Sequence, residues 1–196
     1  NILFILAEGP HDTAFMYRIL KANGFSEYNK KIKDFPKPLD SLLQTDILNV
    51  SIPDENIQNA RNRFLPSYVM QLDNNLIVLY SFRGDTDGQG RISLINTVNL
   101  FNIVDEEDDL AFPASPNTSF NILYLFDADD KGTAARMNQV KGELVKAFPD
   151  FTFASTYSAS TFHTIEDMQI GAYIFREEDN DRGMLEDVLL PLMQES

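Results

Sequence analysis

Asn121-Ile-Leu-Tyr-Leu-Phe-Asp127-Ala-Asp129-Asp130-Lys131-Gly132 decides how the chain folds. Its apolar run, Ile122 to Phe126, breaks abruptly into carboxylates and a glycine. A continuous apolar run bounded by turn residues suits a strand buried on both faces of a parallel sheet. Side chains alternate along a strand, so Asp127 and Asp129 can share one side at its carboxyl end. Open α/β sheets place their ligand sites at that end. Two carboxylates about 4 Å apart repel by roughly 4 kcal/mol at an effective dielectric near ~20. The pair calls for a cation, a shared proton or wide solvation, and a hard divalent ion is the preferred reading. A polar loop in which Asp129 or Asp130 caps the next helix accounts for the same residues without a ligand.

Working outward, Ile2 to Ala7 is a second buried strand, followed by Glu8-Gly9-Pro10 and a helix from His11 to Asn23. Phe15, Met16, Ile19 and Leu20 form its apolar stripe. Pro10 suits the first turn and Gly24 the position past the last. Glu8 ends a buried strand, where a carboxylate needs a partner. Asp12 falls in the first helical turn; it can face the same pocket or simply complement the helix N-terminus. Ser67–Leu72 and Leu76–Phe82 read as a hairpin around Asp73-Asn74-Asn75. The second run breaks into Arg83-Gly84-Asp85-Thr86-Asp87-Gly88, and a helix over Arg91–Phe101 follows. Arg83 is a candidate phosphate contact and Gly84 lets the backbone approach a ligand, although the same residues also make a plain turn. The late glutamate of an EF-hand loop is missing.

Beyond the central run, a helix is expected over Thr133–Phe148, with Met137, Val140, Leu144 and Phe148 inward. A strand over Phe151–Tyr157, a short helix or turn over Thr161–Met168 and a strand over Gly171–Phe175 come next. The closing helix, Met184–Met193, is one that Pro191 is expected to kink or end early. Glu186 and Asp187 sit in its first turn, where they favour the helix dipole. Ser26–Leu65 is looser and reads as an insert carrying helices over Leu39–Val50 and Asp54–Phe64. Its Lys30, Lys31, Lys33 and Lys37 form a basic cluster that reads as solvated. Val104–Thr118 is a linker with the acid run Asp105–Asp109.

The 196 residues, 43% of them hydrophobic, suffice for one domain with a real core. No apolar run approaches the roughly 20 residues that cross a bilayer, and Ile2–Ala7 is too short and too soon followed by an acid for a signal peptide. The absence of cysteine excludes disulfides, thiol catalysis and cysteine zinc sites, and fits a cytoplasmic protein. With two histidines, a zinc site is not expected. A net charge of −14 gives no pull on duplex DNA, so a nucleic-acid role needs a local basic patch or a basic partner protein.

The succession of elements predicts an α/β fold, one mainly parallel central sheet flanked by helices. Glu8, Asp85 or Asp87, and the Asp127/Asp129 pair then meet at one edge. Hard oxygen donors select Mg²⁺, Mn²⁺ or Ca²⁺. Such an ion would neutralise a phosphodiester and activate water, with Glu8 as general acid or base. The chain has no Walker loop, no G-x-G-x-x-G after a strand and no G-x-S-x-G elbow.

Leu6-Ala-Glu8-Gly9-x-x-Asp12-x-x-Phe15 and Leu125-Phe-Asp127-Ala-Asp129-Asp130-x-Gly132 resemble the two signatures of the Toprim domains of topoisomerases, primases and overcoming-lysogenisation-defect nucleases. Gly183-Met-Leu185-Glu186-Asp187 is similar to an element near the end of a small, poorly characterised bacterial Toprim-like family. The resemblance spans most of the chain, Ser26–Leu65 least. It implies a Rossmann-like Toprim fold and Mg²⁺- or Mn²⁺-dependent phosphoryl transfer, most plausibly by a nuclease acting on DNA or RNA. It implies Glu8 as the acid/base residue, Asp127 and Asp129 as ion carriers, and Asp12 and Glu186 as further ligands. Gly9, Arg83, Gly84 and Lys131 are the candidate phosphate contacts. The late basic residue usual in Toprim nucleases has only Arg176 and Arg182 as counterparts. A silent metal-binding interaction module and a small-nucleotide phosphoesterase are the alternatives.

Overall fold

The computed structural model describes residues 1–48, 65–82, 88–101, 118–152 and 158–194. The expected helix over Asp54–Phe64, the Arg83–Asp87 turn, the Asp105–Asp109 run and most of the strand expected over Phe151–Tyr157 lie outside the described residues. In chain order the elements are β1 (Ile2–Ala7), α1 (Pro10–Ala22), β2 (Ser26–Glu27), α2 (Leu39–Leu48), β3 (Tyr68–Leu72) and β4 (Asn75–Ser81). Then come α3 (Gly88–Leu100), β5 (Phe120–Asp127), α4 (Thr133–Ala147), β6 (Phe162–Ile165), β7 (Met168–Phe175) and α5 (Leu185–Gln194).

The strands form one seven-stranded sheet in the order β2-β3-β4-β1-β5-β7-β6. β4, β1, β5 and β7 run parallel. β3 and β2 extend one edge and β6 the other, all antiparallel. The parallel strands are mostly apolar because helices cover much of both faces. Phe4, Leu6, Val78, Tyr80, Ile122 and Phe126 belong to the larger core, with Leu42 of α2, Ile95 of α3 and Val140 of α4. Ile5, Ala7, Leu79, Leu125 and Phe175 belong to the smaller core, with Leu20 of α1 and Leu185 of α5. β1 lies between β4 and β5, so the chain winds to one side of β1 and then crosses to the other. The carboxyl ends of β1 and β5 therefore flank a topological switch point, where open α/β sheets leave a crevice.

One expectation needs correction, and two others gain detail. Phe162–Ile165, expected as a helix or turn, is edge strand β6; Glu166, at φ 53°, and Asp167 turn it tightly into β7. Of the two outcomes expected at Pro191, a kink or an early end, the early end does not occur: α5 runs on to Gln194. Within the stretch read as an insert, β2 pairs with β3, and Leu39, Leu42 and Leu43 of α2 are buried in the larger core.

A buried ion pair joins α3 to α4. Arg91 donates from Nε and Nη2 to the two carboxylate oxygens of Glu143 at 2.9 and 2.7 Å. Its guanidinium lies 5.0 Å from the Phe126 ring centroid. Removing one member of such a pair leaves an uncompensated buried charge. Glu143→Ala is therefore expected to lower unfolding free energy by about 3–5 kcal/mol. Arg91→Met combined with Glu143→Leu is expected to restore most of it, as read by urea denaturation.

Candidate functional site

β1 and β5 end side by side, and their terminal acids meet because the ladder brings them there. Glu8 continues the ladder, donating its N–H to the Leu125 carbonyl at 3.1 Å. Leu123, Leu125 and Asp127 follow one another on one face of β5, so the Asp127 carboxylate turns toward α1 and α5. There the N–H of Leu185, first residue of α5, donates to Asp127 Oδ1 at 2.8 Å. A carboxylate at a helix N-terminus meets free N–H groups and the positive end of the dipole.

Arg136, in the first turn of α4, is buried beneath these acids. Its Nη2 donates to both carboxylate oxygens of Glu8 at 3.0 and 3.2 Å and also to the Asp129 carboxylate. Nε donates to the Asp127 carbonyl at 2.7 Å and Nη1 to Gln139 Oε1 at 3.0 Å. The long Asp127 N–H to Glu8 Oε2 contact, 3.4 Å, closes the ring of contacts.

Two loops interlock over this guanidinium. Asp129, at φ 48°, accepts from and donates to the Gly183 backbone at 3.2 and 2.8 Å, a short antiparallel bridge. Gly183 stands at φ 120°, where a Cβ would come within 2.8 Å of the Glu177 nitrogen. Gly132, at φ 83°, would put a Cβ 2.8 Å from Asp181 Oδ2. Both positions demand glycine for conformation and for space.

Asp12 is 5% exposed, and its Oδ2 accepts the Gly9 N–H at 2.8 Å. Burial pushes its carboxyl up to about 6, against the Gly9 hydrogen bond and with Glu8 and Glu186 adding repulsion. Burial likewise pushes Asp127 up to about 7, with Asp12 adding repulsion, the Leu185 hydrogen bond opposing, and Glu8 and Asp129 contributing further. Glu186 stands at the exposed rim, its Oε1 3.5 Å from His11 Nδ1.

The structure thus gathers Glu8, Gly9, Asp12, Asp127, Asp129 and Glu186 at one edge. Arg83 and Gly84 lie outside the described residues. Lys131 is exposed and lines a separate hollow with Gly88 and Glu143 of α3 and α4. The lysines at 30, 31, 33 and 37 are exposed, and Lys30 lies near Asn74 and Asn75 at the amino end of β4, opposite the acids. Among the described residues no group of three or more carboxylate or histidine side chains is arranged to hold a metal ion. The two halves of the cluster differ. Glu8 and Asp129 are ion-paired to Arg136, whereas Asp12 and Asp127 have no ion-pair partner among the described residues. Carboxylate oxygens are the donor type a hard divalent cation takes, and the Asp12–Asp127 side supplies two such groups. Glu8 and Asp129 already spend part of their acceptor capacity on Arg136.

Arg136 escaped the sequence reading. The available signal was its position on the apolar stripe of α4, one residue before Met137 and four before Val140.

Raised carboxyl values have a definite consequence for stability. Asp12 and Asp127 bind protons more tightly folded than unfolded, where 3.8 is the ordinary value. Their contribution is therefore most favourable at low pH and is lost as pH rises from about 4 toward about 7. Asp127→Asn keeps an acceptor for the Leu185 N–H and removes this loss. The metal-free variant is expected to melt a few degrees above wild type near pH ~8, with the gap narrowing at pH ~5 and closing below pH ~4, in a thermal scan across pH.

No family model matches the chain, and no curated protein matches it. The crystal structure of a hypothetical protein from Pyrococcus horikoshii OT3 superposes with a TM-score of 0.57 at 17% identity, over 99% of this chain and 66% of that one. At that identity the likeness is one of fold, an α/β sheet flanked by helices.

Proposed function

We propose that this chain is a Toprim-type phosphoryl-transfer enzyme dependent on Mg²⁺ or Mn²⁺, acting as a nuclease on DNA or RNA. The observation that carries the reading is the convergence of buried Asp12 and half-buried Asp127 at the switch point beside Glu8, neither with an ion-pair partner among the described residues. Bound there, the ion would neutralise phosphate charge and lower the pKa of water. Asp127 and Asp12 would hold it directly, with Glu186 at the rim. Glu8, hydrogen-bonded by Arg136, would move the proton, and Arg136 would position it. Asp129 belongs to the same constellation through the shared guanidinium. A cytoplasmic location accords with the lack of cysteine, and among the described residues no helix is long and apolar enough to cross a membrane.

Two other readings each have one supporting observation. The net charge of −14 favours a small-nucleotide phosphoesterase over an enzyme of long polyanions, unless a basic partner protein brings the strand. The engagement of Glu8 and Asp129 by Arg136 favours an inactive metal-binding module.

Calorimetric titration with Mg²⁺ and Mn²⁺, with a cleavage assay in the presence and absence of EDTA, separates these. Glu8→Gln and Asp127→Asn are each expected to reduce metal-dependent cleavage by roughly a hundredfold or more while circular dichroism stays unchanged. Full activity in either variant refutes the assignment. Mg²⁺ should also raise the melting temperature near pH ~8 and much less near pH ~5, where protons compete for the same carboxylates.

A further inference from the structure

The acids converge at one edge, yet among the described residues no group of three or more side chains is arranged to hold a metal ion. A positive charge already stands inside the cluster. Arg136 Nη2 donates to both Glu8 oxygens, at 3.0 and 3.2 Å, and to the Asp129 carboxylate. One guanidinium therefore joins the acid that ends β1 to the acid that follows β5, as a bridging metal ion would.

This cation is not an exchangeable one. Arg136 is 1% exposed, so it cannot turn out to water while α4 stays docked. Nε donates to the Asp127 carbonyl at 2.7 Å and Nη1 to Gln139 at 3.0 Å, which fixes the plane of the group. The Phe126 ring backs it at 5.8 Å. A guanidinium also keeps its proton, so the charge is permanent.

Spare lone pairs remain on Glu8 and Asp129, so charge, not a shortage of donors, decides what else they accept. Mg²⁺ binds carboxylate oxygen at about 2.0–2.1 Å, so an ion on either Glu8 oxygen would stand within about 5 Å of Nη2. Like charges that close, one of them shut away from water, are poorly screened from each other. The Glu8 side chain is 18% exposed and that of Asp129 41%, so Glu8 leans more on the guanidinium and less on solvent.

We infer that Arg136 is a built-in cation of the acid site: it stands where a divalent ion would bridge Glu8 and Asp129, and so confines any exchangeable ion to the Asp12–Asp127 side. Glu8 is then aimed by the fold itself, and chelation leaves it in place. The inference deepens the reading above by assigning which carboxylates an ion touches. Its central claim, that the guanidinium keeps ions off Glu8 and Asp129, is open to test whether or not the wild type binds metal.

The test counts tightly bound Mn²⁺ per chain by electron paramagnetic resonance on the full chain, with no substrate present. The wild type is expected to hold about one ion, Asp129→Asn to hold it within about twofold of that affinity, and Asp127→Asn to weaken it about tenfold or more. Arg136→Met, which keeps the bulk and drops the charge, is expected to gain about one further Mn²⁺. Adding Asp129→Asn to Arg136→Met is expected to abolish the gain. A merely structural role for Arg136 predicts a loss of binding, not a gain. Where Arg136→Met is unfolded in EDTA, the same gain is read as refolding by Mn²⁺ in circular dichroism. An Arg136→Met that takes up no further ion, folded or unfolded, overturns the inference. So does a wild type whose Mn²⁺ is weakened as much by Asp129→Asn as by Asp127→Asn. Binding by Arg136→Met alone, with a silent wild type, removes the metal-dependent reading and leaves this inference standing.

Discussion

The Arg136 guanidinium stays charged at any pH the folded protein meets, so once buried it must find its compensation within the protein. Glu8 from the end of β1, Asp129 from the loop after β5 and the Asp127 carbonyl between them provide it. Withdrawing a partner from such a group costs about 3–5 kcal/mol, so these chain segments are held together by electrostatics as firmly as by packing. The contact extends beneath the site. The Phe126 ring lies 5.8 Å from Arg136 and 5.0 Å from Arg91, and Arg91 is in turn held by Glu143 of α4. Helix α4 therefore docks through two buried cations on either side of one aromatic ring, and the acid edge inherits its geometry from that docking.

This arrangement divides the negative charge unequally. Glu8 and Asp129 share one positive partner, Arg136, while Asp12 and Asp127 receive one backbone N–H each, from Gly9 and Leu185. A single N–H offsets only part of the desolvation of a carboxylate, which is why both groups hold their protons to unusually high pH. The fold thus carries an unfavourable term at neutral pH, and it sits at the crevice that the strand order creates.

Sequence periodicity recovers what depends on burial and alternation. The runs at Ile2–Ala7 and Ile122–Phe126 read as strands because both their faces are covered, and the acids that stop them fall where a parallel sheet must place them. Helices α3 and α4 follow from their stripes. What escaped depends on partners distant in sequence. β6 is four residues long, and its ladder with β7 defines it more than any pattern of its own. β2 is two residues long and exists through pairing with β3. Arg91 and Arg136 lie among apolar positions on their helices, where a long cation is ordinarily read as reaching out to water. Each instead turns inward because an acid from another element is waiting: Glu143 for the first, Glu8 for the second.

The Gly183–Asp187 segment shows how an apparently ligand-rich motif divides into structural and chemical parts. Gly183 supplies a backbone angle that other residues rarely adopt, and through it the bridge to Asp129. Asp187 turns back to accept the Met184 N–H at 2.9 Å, satisfying one of the free donors at the start of α5. Leu185 buries its side chain in the smaller core and thereby aims its own N–H at Asp127. Glu186 alone is left facing the rim, beside His11. Of the two adjacent acids, then, one builds the helix end and the other faces His11 at the rim. The helix end delivers the partial positive charge that Asp127 lacks elsewhere, which makes α5 a component of the acid site as well as a cover for the sheet.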